Sequence, residues 1–325
     1  MASKSKLRFC VIGCGNISLK YSINALIESE NSEVVVCVDH GQSKKKVIEE
    51  RFRLPFGTSF GRALKDYDFD AVYIATPTAS HKEFALEAAE NKKHILCEKS
   101  LAANFVDAEE MVFAAQNNGV ALFEGFMYQF HRQNIYIRNL LKKNVVGEVF
   151  LINAWFGFPK RPNTDFRLIK HKGGGGLLDA GAYTVHLARN VFGSEPIKIN
   201  AGMQVRKEID ISGSITLNFT HHRSAHLYYS MDSFYKNKYE LWGEKGNIRV
   251  ERAFSVAPDH EPEIIVETAK GIEKIILKPD NHFIKEIDYF CENHLRLSVR
   301  EQWYKEAAAQ AMTLENIVQR NNAAG

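Results

Sequence analysis

Leu7-Arg8-Phe9-Cys10-Val11-Ile12-Gly13-Cys14-Gly15-Asn16-Ile17-Ser18 reads as an apolar strand that stops at Gly13, with a helical pattern beginning a few residues later. Gly13 permits a tight turn, and Gly15 leaves room for a bulky anion against the backbone. Asn16 and Ile17 open the helix, whose first N–H groups and positive dipole end favour negative charge. Ser18 stands where the third glycine of the dinucleotide fingerprint falls and is small enough for close helix–strand packing. A second apolar run, Val34-Val35-Val36-Cys37-Val38, ends in Asp39, about 20 residues beyond the turn, where a ribose-binding acid belongs. A glycine turn alone is a weak signal. With a strand before it and an acid-terminated strand after it, the stretch predicts a bound dinucleotide.

Outward from that turn, strands and helices alternate up to about residue 125. Ala71–Ala75, His94–Cys97 and Ala121–Phe123 continue the strands. Lys82–Asn91 and Phe105–Asn118 read as helices, the second closed by Gly119. This is the rhythm of a Rossmann doubly wound parallel sheet, an α/β domain over residues 1–125. After residue 145 the rhythm changes to strands in succession: 150–156, 197–205, 212–219, 225–231, 239–242, 247–250, 264–267 and 274–277. Two of the connections, His221-His222-Arg223 and Gly243-Glu244-Lys245-Gly246, read as tight turns. The expectation is a C-terminal α+β domain, residues 126–325, with a mainly antiparallel open sheet. Helices at 176–192 and 284–293 would cover one of its faces, and 301–320 is a final helix.

Composition narrows the function classes. At 325 residues the chain is long for a single core. Hydrophobic content of 45% and charged content of 25% are those of an ordinary globular protein. A formal net charge of +3, with no basic run longer than Lys44-Lys45-Lys46, argues against nucleic acid as a partner. No apolar stretch approaches the roughly 18 residues of a membrane span. Met1–Lys6 leads straight into the first strand without a leader pattern, so a cytoplasmic address is expected. Cys10, Cys14, Cys37, Cys97 and Cys291 show no CxxC pairing and read as small buried hydrophobes rather than metal ligands. No metal is expected.

Ligands of doubly wound folds bind at the carboxyl ends of the strands. There the chain places Thr76, Pro77 and His81, then Glu98 and Lys99, then Glu124 and Tyr128. By residue type alone, Glu98 and Lys99 read as a surface ion pair. A second cluster runs Gly173-Gly174-Gly175-Gly176-Leu177-Leu178-Asp179-Ala180-Gly181-Ala182-Tyr183-Thr184-Val185-His186. Four glycines suggest a loop whose backbone approaches a ligand or changes shape. In the helix that follows, Asp179, Tyr183, His186 and Asn190 share one face at helical spacing, opposite an apolar stripe of Leu177, Ala180, Leu187 and Val191. That polar stripe carries no Lys or Glu, the residues a wet face would favour, so it reads as a candidate site.

Together the Gly13-Cys14-Gly15 turn, Ala75-Thr76-Pro77 with His81, Glu98-Lys99, Glu124-Gly125-Phe126-Met127-Tyr128 and Gly175-Gly176-Leu177-Leu178-Asp179 with Tyr183 resemble the Gfo/Idh/MocA oxidoreductases across the whole chain. The resemblance implies that Lys99 is the active-site lysine beside a nicotinamide. It implies that Asp179 and Tyr183 lie on the substrate-domain helix, and that the cofactor is held by Gly13, Gly15, Asn16, Ile17, Asp39, Thr76, Pro77, His81, Glu98 and Lys99. Tyrosine at 183 is the pattern of the glucose–fructose oxidoreductase, dihydrodiol dehydrogenase and sugar ketoreductase branches. Thr164-Asp165-Phe166-Arg167, Tyr239–Gly243, Gly246–Phe254 and Pro258-Asp259-His260 resemble the nucleotide-sugar 3-ketoreductases of deoxysugar biosynthesis.

The resemblance thus implies reduction of a nucleotide-linked keto sugar. Oxidation of a free sugar or trans-dihydrodiol is a second reading, and a non-catalytic cofactor-binding protein a third. A free phenol, with a pKa of about 10, is a poor proton donor at neutral pH, and a neighbouring ammonium favours its phenolate. Tyr183 is therefore expected as the proton donor, Lys99 as its electrostatic partner, and Asp179 as the group that orients the pair or binds a sugar hydroxyl. Asp39 should bond both ribose hydroxyls and repel a 2′-phosphate, so NAD(H) is expected to be preferred, with NADP(H) possible through Lys44–Lys46. Aromatic residues in the second domain (Trp155, Phe156, Phe219, Leu227 alongside them, Tyr229, Phe234 and Trp242) suggest a homodimer or homotetramer formed through its open sheet. One position departs from the family. The usual Glu-Lys-Pro reads Glu98-Lys99-Ser100, and since a non-proline cis bond costs about 3 kcal/mol, a trans Lys99–Ser100 peptide is expected.

Overall fold

The computed structural model describes residues 5–322. The remaining residues, among them Met1–Lys4 of the leader reading, lie outside it. The chain forms two compact units, one of residues 1–127 with 283–308 and the other of 128–282 with 309–325.

Among the described residues the first unit holds six strands: β1 Leu7–Ile12, β2 Ser32–Val38, β3 Phe56–Gly57, β4 Ala71–Ile74, β5 His94–Glu98 and β6 Leu122–Gly125. They lie in the order β3-β2-β1-β4-β5-β6, all parallel, which is the doubly wound order with its switch point between β1 and β4. The central strands carry unbroken apolar runs, Phe9–Ile12 in β1 and Ala71–Ile74 in β4, because both faces are covered, and every residue of β4 is buried. β3, only two residues long, has no periodicity that could reveal it in the sequence. The helix Phe105–Asn118 starts on Asn104, whose side chain accepts the Asp107 N–H at 2.9 Å, and stops on Gly119 at φ +68°.

Segment 283–308 rejoins this unit by aromatic packing. Phe290 lies 6.0 Å from Phe9, and Trp303 lies 4.8 Å from Phe123 and stacks on Phe290 at 5.7 Å. The sequence pattern puts the boundary at 125/126, and the first unit's opening stretch ends at Met127. The return of 283–308 depends on these long-range contacts and is not visible in local pattern.

In the second unit eight strands form one sheet: β7 Val149–Gly157, β8 Lys198–Arg206, β9 Ile209–Asn218, β10 Ser224–Ser230, β11 Lys236–Gly243, β12 Gly246–Glu251, β13 Glu263–Thr268 and β14 Gly271–Ile276. Their order is β14-β13-β12-β11-β7-β10-β9-β8. β7 and β10 run parallel, and every other pair is antiparallel. Both proposed turns are present. His221 and His222 sit at φ +60° and +55° between β9 and β10, and Gly243 pairs with Gly246 around Glu244-Lys245. β11 alternates buried and exposed residues, the mark of a sheet covered on one face. The helix 177–192 lies on the covered face, where Tyr183 meets Phe156 of β7 at 5.4 Å.

Of the residues expected to enrich the open face, Phe156, Phe219, Leu227 and Tyr229 are buried in the unit's own core. Trp155 is half-buried and stacks on Tyr228 at 5.8 Å, while Trp242 and Phe234 are exposed. The correction has a simple origin. Residues two apart on a strand share a face, and these positions fall on both faces.

Candidate active site

In the first unit the glycine turn has the geometry its spacing implies. Gly13 adopts φ +94°, and a Cβ there would lie 2.7 Å from the backbone of Ala75 and Thr76, so only glycine lets the end of β4 pass. A Cβ on Gly15 would meet nothing within 4 Å, so the chain leaves open the space that the fingerprint assigns to a pyrophosphate. Ser18 is buried, and its Oγ donates to the Gly13 carbonyl at 2.6 Å, tying the helix start to the turn it follows. Asp39 lies at the end of β2. Its Oδ2 accepts the Cys14 N–H at 2.8 Å and its Oδ1 the Gly41 N–H at 3.3 Å. Thr76 Oγ1 is buried and has no hydrogen-bond partner among the described residues. An open glycine cradle, an acid at its rim and an orphaned hydroxyl fit a dinucleotide.

His81, expected among the cofactor-binding residues, is 1% exposed and joins two loops. Its Nδ1 lies 3.1 Å from the carbonyl oxygens of both Ser100 and Leu101, and its Nε2 lies 3.0 Å from that of Thr76. Burial lowers its pKa. The histidine thus sits behind the Thr76-Pro77 loop and the Lys99–Leu101 loop and holds them together. Glu124 of β6 adds a second tie, its Oε1 accepting the Leu101 N–H at 2.8 Å. Glu98 accepts from the Tyr73 hydroxyl, which is itself 2.7 Å from Ser22 Oγ.

The Lys99–Ser100 peptide between these ties is cis, which corrects the trans geometry expected from sequence. The contacts that fix the segment, His81 on two carbonyls and Glu124 on an amide, come from residues about 20 positions away or more. The dipeptide itself gives no sign of them.

In the second unit the glycine run packs closely against neighbouring protein groups. A Cβ on Gly174 would lie 2.5 Å from the Arg167 carbonyl oxygen, one on Gly175 2.4 Å from Asp210 Oδ1, and one on Gly176 2.8 Å from the ring of Tyr229. The missing side chains at these three positions admit neighbouring protein groups. Asp210 of β9 enters through this gap, and its Oδ2 accepts the Leu177 N–H at 2.6 Å at the start of the helix. Asp210 has no signal in the sequence, and Tyr229 reads there only as a sheet aromatic, because both reach the helix across strands.

The helix begins with a π turn over Leu177–Gly181 and continues as α-helix over Ala182–Phe192. Its supposed polar face is mostly dry: Tyr183 and His186 are buried and only Asn190 is exposed. Asp179 accepts from Arg167 Nε at 2.7 Å, and Arg167 also bonds Asp165 at 3.2 Å. Arg167, quoted above only for the family resemblance, therefore belongs to the candidate site as the cation that holds Asp179. The Tyr183 ring sits among Phe156, Phe254 at 5.8 Å and Tyr128 at 5.9 Å. Such a surround excludes water and fixes the direction of a phenol.

Comparison with known proteins agrees with this division. Residues 7–126 match the model of an oxidoreductase family with an NAD-binding Rossmann fold, and residues 135–249 match the GFO/IDH/MocA C-terminal domain. The chain belongs to the Gfo/Idh/MocA oxidoreductase family. As such it is an NAD(P)-dependent oxidoreductase. It is 30% identical over 292 residues to the dTDP-3,4-didehydro-2,6-dideoxy-α-D-glucose 3-reductase of Saccharopolyspora spinosa, covering 89% of this chain and 88% of that protein. The trans-1,2-dihydrobenzene-1,2-diol dehydrogenase of Danio rerio is 30% identical over 75% of this chain and 74% of its own. The 3-ketoreductase KijD10 of Actinomadura kijaniata, crystallised with NADP and TDP-benzene, superposes with a TM-score of 0.90 at 27% identity, covering 97% of this chain and 98% of that one.

No helix among the described residues is long and apolar enough to cross a membrane, and no cluster of three or more His, Cys, Asp or Glu among them could hold a metal ion.

Proposed function

We propose that this chain reduces the carbonyl of a nucleotide-linked keto sugar at the expense of NAD(P)H. The observation that carries the reading is similarity over both units to enzymes of that substrate class, 30% identity to the S. spinosa reductase and a TM-score of 0.90 with the A. kijaniata 3-ketoreductase. Bound reduced nicotinamide would supply the hydride. The chain's own residues must then manage the negative charge that develops on the carbonyl oxygen. Tyr183 gives its hydroxyl proton to that oxygen, and the Lys99 ammonium offsets its charge. Asp179, held by Arg167 at 2.7 Å, binds a sugar hydroxyl or orients the phenol.

For the cofactor itself, Asp39 at the end of β2 supports NADH over NADPH, because a carboxylate at the ribose repels a 2′-phosphate. The NADP held by the A. kijaniata enzyme supports the opposite preference. Steady-state kcat/KM for the two reduced cofactors separates them, and a preference for NADPH of about tenfold or more overturns the NADH reading. We further infer a homodimer or homotetramer through the second unit's sheet. A cytoplasmic address suits five cysteines that are all buried.

The decisive assay supplies dTDP- and UDP-linked keto sugars with either cofactor and follows loss of reduced nicotinamide. Turnover of such a sugar is expected. Oxidation of xylose or a trans-dihydrodiol, with no reaction on any nucleotide sugar, would transfer the chain to the dehydrogenase reading. Absence of turnover across both panels would leave a non-catalytic cofactor-binding protein.

A further inference from the structure

We propose that an aromatic and basic rim of the second unit, made by Phe158, Arg161, Phe234, Tyr235 and Arg252, is the subsite for the substrate's nucleoside diphosphate. The assignment rests on the nucleotide-sugar reading above. In such a substrate the diphosphate separates the base from the reacting sugar, so its recognition groups must lie beside the proton donor. The rim has that position. Phe156 and Phe254 pack on Tyr183, Phe158 lies two residues beyond Phe156 and 6.1 Å from it, and Arg252 lies two residues before Phe254.

Buried amides hold the rim in place before any ligand arrives. Asn237, 3% exposed, accepts the Phe254 N–H at 2.9 Å and donates to the Tyr235 hydroxyl at 3.0 Å and the Ser255 carbonyl at 3.2 Å. Gln133 Nε2 donates to the carbonyls of Arg252 and Ala253 at 3.2 and 3.1 Å. On the other side, the Phe158 N–H donates to the Ser230 carbonyl at 3.0 Å, and its carbonyl accepts the Ser233 N–H at 3.2 Å. The loop that carries Phe234 is thereby tied to the end of β7.

The chemistry of the rim matches a nucleotide. Arg252 lies over the Tyr235 ring at 4.7 Å and Arg161 over the Phe158 ring at 4.8 Å. A guanidinium stacked on a ring keeps its N–H edges for planar, bidentate contact with phosphate. Arg161 also lies 3.9 Å from Asp165, a loose pair that a diphosphate can displace. Phe234 is 92% exposed, an apolar ring offered to solvent next in the chain to Tyr235, over which Arg252 lies. A nucleobase stacking on it would remove that surface from water.

Calorimetric titration of dTDP and UDP into the cofactor-saturated chain tests the assignment. Arg161→Ala and Arg252→Ala should each weaken nucleotide binding about tenfold or more. Phe234→Ala should weaken it at least about fivefold, with Phe234→Trp restoring affinity and inorganic pyrophosphate binding unaffected. Cofactor affinity and the thermal midpoint should stay at wild-type values in all of these variants. Wild-type affinity within twofold in the three alanine variants overturns the rim alone. So does a Phe234→Ala variant that changes the scattering mass without changing nucleotide affinity, which would make Phe234 a self-association residue. If the unaltered chain binds no nucleotide, the nucleotide-sugar reading fails and the rim fails with it.

Discussion

The hydroxyl of Tyr128 and Nδ1 of His186 share a hydrogen bond of 2.7 Å, with both side chains buried and the Tyr128 ring 5.9 Å from that of Tyr183. Burial, reinforced by the charge of Arg189, lowers the His186 pKa to about 3, so the ring is neutral. His94 is lowered to about 4 by burial and by His294, and burial lowers His81 as well. In the unfolded chain each of these rings takes up a proton below about pH 6.5. The unfolded state then binds more protons than the folded state, and stability falls as pH falls.

The thermal midpoint should therefore be flat above about pH 6.5 and decline below it, by up to about 1.4 kcal/mol per pH unit for each histidine. For His94 the loss is complete near pH 4, and for His186 near pH 3. Melts at pH 7, 6 and 5 check this before most carboxylates titrate. His94→Gln should make the slope shallower, and a midpoint constant from pH 7 to 5 contradicts the assignment.

Lys99→Ala and Tyr183→Phe should each lower kcat at least about a hundredfold, the lower range for a positioned acid–base group. Cofactor affinity should survive Tyr183→Phe, because the ring remains packed on Phe156 and Phe254. Pre-steady-state kinetics that show chemistry limiting, together with near-normal turnover, would remove either residue from its role.

Two glycine substitutions should separate binding from scaffold. Gly15→Ala adds a methyl that meets no protein atom within 4 Å, so the melting curve should not move while cofactor affinity falls about tenfold or more. Gly175→Ala sets a methyl 2.4 Å from Asp210 Oδ1 at φ +141°. It should cost about 1–3 kcal/mol in denaturant unfolding and lower kcat with cofactor affinity unchanged. The opposite pattern in either variant would mean that the roles of the two glycine turns are exchanged.

The open sheet of the second unit carries Phe150 and Trp242 as an exposed pair 5.1 Å apart. Light scattering at micromolar concentration should give at least twice the 36.9 kDa chain mass, and Trp242→Glu should shift it towards the monomer. A monomeric unaltered chain removes the oligomer from the proposal.

Much of this architecture is legible locally. Apolar runs without polar interruption mark β1, β2, β4 and β5, and Gly13 with Asp39 marks the dinucleotide turn, because backbone sterics and strand length tie those residues to short-range geometry. The helix 105–118 is readable to the residue, since Asn104 and Gly119 cap it. The two-residue β3 is not. Nor is the buried role of His81, whose three carbonyl partners are contributed by Thr76, Ser100 and Leu101.

By itself the sequence determined the parallel-then-antiparallel plan, the strand succession and the glycine turn, since periodicity and motif spacing are local properties of the chain, while the roles of Lys99, Asp179 and Tyr183 come from family resemblance. Tertiary structure alone decided what Gly174, Gly175 and Gly176 admit, which cation holds Asp179, how the Lys99–Ser100 peptide is set, and that 283–308 returns to the first unit. Each of these depends on groups brought together across strands or from distant segments. Asp210 lies 33 residues from Leu177 in the chain and 2.6 Å from its amide in space, and no local pattern encodes such a meeting.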